Sequence, residues 1–455
     1  MRRSSSLRVT PTAASNSSRG KKQASEESAP ERASHTVAAC RRASRFLRAI
    51  GVELRLAWAE IARRRRRSGV ALGAVAFGVV ALMLFSGFIE WIFWAMREGT
   101  IRAGMGHIQV VRHGYLTKGI ADPFSYLLPE KSEELAMIET LAEVQVVAPR
   151  LMFSGLISKG ERTTFFQGEG VRPEKEGVLA TSISCSQGSS SLVPDGQELL
   201  VGQGLADTLN VRVGDKVVLL INTPRGGVNG AEARVVGICG TMIKAYDDVF
   251  VRMPMSLAHR LVRVKGSTNW LVLLKNTETT ATVANRIRGS LPETKFDVVP
   301  WTALADFYTK TVALFSKQLG FLKLIIAITV VLVILNSLTI AVAERTAEIG
   351  TAMALGASPR VILRRFLVEG LVLAAVGSAV GVFVGYLAAG MISRIGIPMP
   401  PPPGAARGYV GEILVTAPLA LEAVIIAAIS CLIAAVLPAV RASRLSVVNA
   451  LRSGR

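Results

Sequence analysis

The chain has 455 residues, half of them apolar, with a mean hydropathy of +0.41 and a formal net charge of +20. That length suffices for one or two domains, but the hydropathy is too high for an ordinary soluble protein. The positive excess does not mark a nucleic-acid binder, because it is concentrated at one end: residues 1–68 hold 17 Lys/Arg against 5 Asp/Glu, while residues 96–317 hold 25 against 22.

Residues 1–42 are rich in Ser, Ala and Arg without hydrophobic periodicity, and predict a disordered basic arm. Arg2-Arg3 and Val37-Ala38-Ala39-Cys40 mimic export signals, but no apolar stretch follows the first or precedes the second. Over 43–68, Phe46, Leu47, Ile50, Leu54, Ala57, Trp58 and Ile61 recur at helical spacing and predict an amphipathic helix along the membrane interface. Arg63, Arg64, Arg65, Arg66 and Arg67 form a block that hydrocarbon excludes, and so orient the following span with its start in the cytoplasm, beside anionic membrane lipids.

Four apolar runs predict transmembrane helices at 69–95, 319–343, 367–392 and 419–440. In the third, Gly377, Gly381 and Gly385 recur every four residues, a face for close helix packing. With the first span starting inside, residues 96–318 and 393–418 fall outside, and residues 344–366 and the tail 441–455 fall inside. Charge agrees with this topology. Arg345, Arg360, Arg364 and Arg365 lie in the inner loop and Arg441, Arg444, Arg452 and Arg455 in the tail, against Arg394 and Arg407 in the short outer loop.

Between spans one and two, β-like runs at 107–112, 151–158, 163–168, 216–222, 233–239, 249–252, 270–274 and 296–299 alternate with helical patterns near 132–141, 256–261 and 279–291. The expected fold is therefore an α-helical membrane protein of four transmembrane helices with an α+β extracytoplasmic domain inserted between the first and second. Cys185 and Cys239 fall in this domain, either as two structural thiols or, if the domain is extracytoplasmic, as a disulfide. His107 and His113 lack further ligands nearby, so His107 reads as a turn-to-strand residue rather than a metal ligand. Asp247 and Asp248 read as a turn rather than an acid/base pair, and Pro400 to Pro403 as a stiff connector.

The loop after span two runs Glu344-Arg345-Thr346-Ala347-Glu348-Ile349-Gly350, then Met353-Ala354-Leu355-Gly356-Ala357-Ser358-Pro359-Arg360. Gly356 after a helical run and Ser358-Pro359 opening another predict helix–turn–helix. Ile349, Met353 and Leu355 are expected to form an apolar surface patch, flanked by Arg345 and Glu348, that needs a partner to cover it.

The stretch ERTAEIGTAMALGASPRVILRRFLVEG resembles the cytoplasmic loop of FtsX-domain permeases. The tail from Leu437 to Arg452 resembles that family's closing pattern, departing from it at Ser446 and Val447. Gly104-Met105-Gly106-His107-Ile108-Gln109-Val110, Gly202-Gln203-Gly204-Leu205-Ala206, Val213-Gly214-Asp215-Lys216-Val217 and Tyr246-Asp247-Asp248 resemble the MacB-type core domain in its LolC/LolE-like branch.

The resemblance implies a permease subunit of an ABC transporter in the bacterial inner membrane, with both termini cytoplasmic. It pairs with a second copy or a paralogue and recruits a dimer of a separate cytoplasmic ATPase. It binds no cofactor directly, ATP and Mg acting through that partner. ATPase coupling is expected at Glu344, Arg345, Glu348, Ile349, Gly350, Met353, Leu355, Gly356 and Ala357, with movement passed by mechanotransmission to the outer domain. The work done there is expected to be lipoprotein release or export of an amphiphilic substrate, with a periplasmic carrier protein or an outer-membrane channel as a further partner. The alternative is a regulatory permease that activates a periplasmic cell-wall hydrolase. The chain itself reads as no enzyme: it contains no GxxxxGK[ST], HExxH or GxSxG.

Overall fold

The computed structural model describes residues 65–119, 122–241, 244–400 and 408–445, together with Ala59 and Arg63. The expected basic arm, most of the expected amphipathic helix over 43–68, Arg64, Pro401 to Pro403 and the tail beyond Leu445 lie outside the described residues, as do the side chains of Arg65 and Arg67. Arg63 and Arg66 are exposed.

Among the described residues, four helices are long and apolar enough to cross a membrane: α1 (Arg65–Thr100), α9 (Asp306–Glu344), α11 (Pro359–Ile395) and α12 (Ala417–Ser443). At 1.5 Å per residue, the 39 residues of α9 reach about 58 Å, well beyond the hydrocarbon thickness of about 30 Å. Hydropathy marks only the apolar stretch, so the sequence expectation began the second span at 319, thirteen residues after the helix does. The three spaced glycines of α11 all meet α1. A Cβ on Gly377 would lie 2.7 Å from Val75 Cβ, one on Gly381 2.8 Å from the Ala76 carbonyl oxygen, and one on Gly385 2.9 Å from Met83 Sδ. Lipid provides no hydrophobic drive between helices, so close backbone approach through small residues takes its place.

The described residues of the inserted domain form ten strands in one continuous hydrogen-bonded arrangement. These are β1 (Ile108–Arg112), β2 (Val144–Lys159), β3 (Arg162–Val171), β4 (Ser184–Gly188), β5 (Glu198–Gly202), β6 (Lys216–Asn222), β7 (Val228–Gly240), β8 (Phe250–Pro254), β9 (Asn269–Leu274) and β10 (Phe296–Pro300). Their pairing divides the domain into two lobes that share β2. Residues 144–150 of β2 pair with β9, which continues through β1 to β10 as an antiparallel sheet. From Leu151 onward β2 pairs with β3 and β6 instead. The pairings β2–β3, β3–β8, β8–β5, β5–β7, β7–β6 and β6–β2 close a six-stranded barrel.

Period-two alternation fills both lobes. In β9 every residue is buried, because both sheet faces are covered. Trp270, Val272 and Leu274 pack with residues of α2 (Glu133–Glu139) and α7 (Thr280–Ser290). Leu271 and Leu273 pack with Ile101, Trp301 and Ala305, where the ends of spans one and two meet the sheet. The barrel interior holds Leu151, Phe153, Ile157, Phe166, Val201, Leu219, Val235 and Val251, with Phe153 and Phe166 edge to face at 6.0 Å. Cys185 and Cys239 form a disulfide between the paired strands β4 and β7.

Eight of these strands coincide with the runs read from sequence. β4 and β5 were not expected, nor were the short helices α3 (Pro173–Leu179) and α4 (Gln203–Leu209). β11 (Ile397–Met399) and β12 (Tyr409–Gly411) form an additional hairpin between spans three and four.

Candidate functional site

The loop between spans two and three folds as the helix α10 (Thr346–Ala354), closed by a left-handed Gly356 at φ +95°. The Gly356 N–H donates to Met353 O and the Ala357 N–H to Ala352 O, each at 3.0 Å. This is a Schellman closure, and Pro359 starts α11 immediately after it.

The structure separates the residues expected there to form one surface. Ile349 is buried in a cluster with Val342, Ile362, Phe366, Ala439 and Ala442, and Met353 packs against its edge. Gly350 is buried too, and Ala357 is half-buried. Arg345 is buried as well, its Nη1 3.5 Å from Glu369 Oε2 of α11. Glu344, Glu348 and Gly356 are exposed, and Leu355 is 85% exposed. The expected patch of Ile349, Met353 and Leu355 is therefore corrected. At about 100° per residue, positions 349 and 353 share a helix face while 355 points about 120° away from 349.

A second constellation lies where α1 enters the inserted domain. The Leu274 N–H donates to His107 Nδ1 at 3.0 Å, which leaves the proton on Nε2, 2.9 Å from Thr277 Oγ1. The Thr277 hydroxyl donates to Glu98 Oε1 at 3.0 Å, and Glu98 also pairs with Arg102 at 2.9 Å. Burial pushes His107 down to about 4, aided by Arg102 and Arg97 and opposed by Glu98, so the imidazole is neutral at physiological pH. His107 thus has a structural role in tying the end of α1 to the turn after β9.

Next to it, the buried Arg150 of β2, Glu169 of β3 and Arg252 of β8 form a charge network with the half-buried Glu176 of α3. Glu169 Oε2 accepts from Arg150 Nη1 and Arg252 Nη2, both at 2.7 Å, and Tyr246 donates to Glu169 Oε1 at 2.6 Å. Glu176 accepts from Arg150 Nη2 at 2.9 Å and from Arg252 Nη1 at 2.8 Å. Burial alone would raise the Glu169 carboxyl, but the two guanidiniums and the tyrosine hold it below the ordinary range. Burial and the adjacent Glu169 push Tyr246 well up, so it stays a hydrogen-bond donor. Sequence reading missed the network. The available signal was a charge inside an apolar strand, as in Phe250-Val251-Arg252-Met253.

The neighbouring carboxylates do not act together. Asp247 is buried and accepts from the Thr241 N–H and hydroxyl at 2.8 Å, while Asp248 is half-buried and pairs with Lys244. Instead of the expected turn, Asp247 ends the short helix Lys244–Asp247, with Asp248 following it, and this segment packs on the expected glycine motif: a Cβ on Gly202 would collide with the Asp247 carbonyl oxygen.

A family described as the MacB-like periplasmic core domain matches residues 68–290, and one described as FtsX-like permease C-terminal matches residues 320–447. The lipoprotein-releasing system transmembrane protein LolC of Neisseria meningitidis serogroup B is 24% identical over 347 residues, covering 72% of this chain and 77% of its own length. The uncharacterized ABC transporter permease YvrN of Bacillus subtilis is 37% identical over 119 residues, 26% of either chain. The macrolide export ATP-binding/permease protein MacB of Rhodopirellula baltica is 36% identical over 119 residues, 26% of this chain and only 16% of its own length. Among solved structures, the periplasmic region of MacB from Actinobacillus actinomycetemcomitans aligns over 47% of this chain and 95% of its own, at 14% identity and a TM-score of 0.32. With a MacB-like domain inserted between its first two membrane-spanning helices and an FtsX-like region carrying the other three, this multi-pass membrane protein belongs to the MacB/LolC/FtsX type of ABC transporter permease.

Proposed function

We propose that this chain is a permease subunit of the bacterial inner membrane that receives the stroke of a separate cytoplasmic ATPase at the loop after span two and performs work on an amphiphilic substrate at its inserted domain, outside the membrane. The observation that carries this reading is the construction of α10. Its inner face is anchored by Ile349 and its end is fixed by the Gly356 closure, yet Leu355 projects 85% exposed on the same side of the helix as the exposed Glu348 two turns earlier. A large apolar side chain left exposed at a capped helix end suits docking to another protein.

The disulfide Cys185–Cys239 supports an oxidising compartment for the domain, and the arginine distribution supports cytoplasmic placement of α10. In this reading ATP and Mg are bound by the partner, and two permease subunits act together. Among possible substrates a lipoprotein is favoured, because the alignment with LolC covers 72% of this chain, more than the inserted domain alone supplies.

The test is affinity purification of the tagged chain in mild detergent, with mass spectrometry of its companions. A P-loop ATPase should co-purify with the wild type and be lost from Leu355→Arg and Glu348→Arg. Absence of any ATPase after crosslinking in membranes would overturn the proposal. A periplasmic carrier protein in the same sample supports lipoprotein release, and a cell-wall hydrolase replaces it with a regulatory role.

A further inference from the structure

The strand β2 changes partners at one point. Arg150 is the last residue paired with β9, opposite Asn269, and Leu151 is the first paired with β3, opposite Gly170. The sheet lobe and the barrel are therefore continuous through the peptide between these two residues. Arg150 is also a corner of the charge network. The other corners come from β3, α3 and β8, so the four charges join the switch point of β2 to two further barrel strands and one helix.

The chain leaving span one runs directly over this network. After α1, the helical turn Ile101–Met105 is interrupted by Gly104 at φ +125°. A Cβ on Gly104 would lie 2.6 Å from Arg150 Nη1 and 3.2 Å from Arg252 Nη2. The backbone of the span-one exit is thus seated on the two guanidiniums, in a conformation that favours glycine.

Stability alone does not account for the arrangement. A buried ion network seldom stabilises a fold more than apolar residues of the same volume would, and its best-attested use is to specify geometry. Here each glutamate bridges both arginines, so no corner moves without breaking contacts at the others.

We propose that Arg150, Glu169, Glu176 and Arg252 are positioning residues that clamp the span-one exit at Gly104 to the point where β2 passes from sheet to barrel, so that displacement of span one moves the barrel as a rigid body. The proposal rests on the reading of the chain as a transmitter of mechanical work. The rigidity it claims is measured without any ATPase, so the two ideas fail separately.

The experiment uses the full chain in lipid nanodiscs, with Cys40→Ser and Cys431→Ala removing the cysteines outside the disulfide. Spin labels are placed through Trp94→Cys on α1 and Arg225→Cys at the β6–β7 turn, and a control pair through Glu161→Cys and Arg225→Cys lies wholly on the barrel. Distances are read by double electron–electron resonance. The clamped chain gives one narrow span-to-barrel distribution. Glu176→Gln removes a charge at constant shape, and Gly104→Val inserts a side chain at the seat without altering any network residue. Each should roughly double the width of the span-to-barrel distribution while leaving the barrel pair unchanged. If both widths stay as in the parent in both variants, the network carries no positional information and the proposal falls. It falls equally if the barrel pair broadens in step, because the network would then only stabilise the barrel. Gly104→Val decides the matter should Glu176→Gln prevent folding.

Discussion

The barrel of the inserted domain is filled by large side chains, Phe153, Phe166, Ile157 and Leu219 among them, whereas α1 and α11 meet where α11 presents only the hydrogen of Gly377 or Gly381. The difference follows from the two solvents. Water drives apolar bulk out of itself, so the domain is held by what it removes from water. A bilayer is as apolar as leucine and offers no such drive, so its helices are held by close fit. The domain should therefore be most sensitive to loss of atoms, and the spans to their addition.

The largest effect is expected in the barrel. Phe166 is fully buried and meets Phe153 edge to face, so Phe166→Ala should lower domain stability by about 3–5 kcal/mol. Urea unfolding followed by near-ultraviolet circular dichroism measures it. A loss much smaller than this would mean the barrel collapses around the cavity and is packed more like the helices than argued here.

A comparable loss should come from acid. The folded chain holds His107 at about 4, below the ordinary value of about 6.5, because burial and nearby Arg102 and Arg97 disfavour the imidazolium. The unfolded chain therefore takes up the proton first. Stability is complete above about pH 6.5 and falls as pH drops towards 4, by on the order of 3 kcal/mol at the limit. Urea midpoints across pH 4 to 7.5 would show this slope in the wild type and a flatter one in His107→Gln. Equal slopes in the two would remove His107 from the account.

The spans provide the opposite test. A Cβ on Gly381 would sit 2.8 Å from the Ala76 carbonyl oxygen, which is backbone and cannot turn aside. One on Gly385 meets the thioether of Met83, which can. Gly381→Ala should cost about 1–3 kcal/mol, and Gly385→Ala well under half of that. Thermal aggregation midpoints in detergent should rank them in this order; the reverse would indicate that the glycines act through helix propensity rather than fit.

How much of this was legible in the sequence depends on the range of the interactions. Spans, most strands and the Gly356 turn arise from periodicity and local chemistry, and were read correctly. β4 was missed because Ser184–Gly188 is an exposed strand with no apolar alternation. The polar first turns of α9 were missed because hydropathy is blind to a helix beyond hydrocarbon. The charge network was invisible for another reason: its bonds join residues 19 to 83 positions apart, and no local pattern encodes them. The loop lies between these cases. Its motif was plain, but which of its residues face inward is decided by α11 and α12, so Arg345 and Ile349 were placed on the wrong side.

That division of the loop yields the smallest expected effect on stability. Leu355 touches little that folding creates, being 85% exposed, so Leu355→Ser should shift the unfolding midpoint by no more than about 0.5 kcal/mol. Ile349→Ser, on the same helix, buries a hydroxyl in an apolar cluster and should destabilise the chain severely. Loss of a bound ATPase from Leu355→Ser at unchanged stability would assign the exposed side of α10 to recognition. Equal destabilisation by both changes would instead mean that Leu355 is covered in the assembled protein, and that the docking surface must be sought elsewhere.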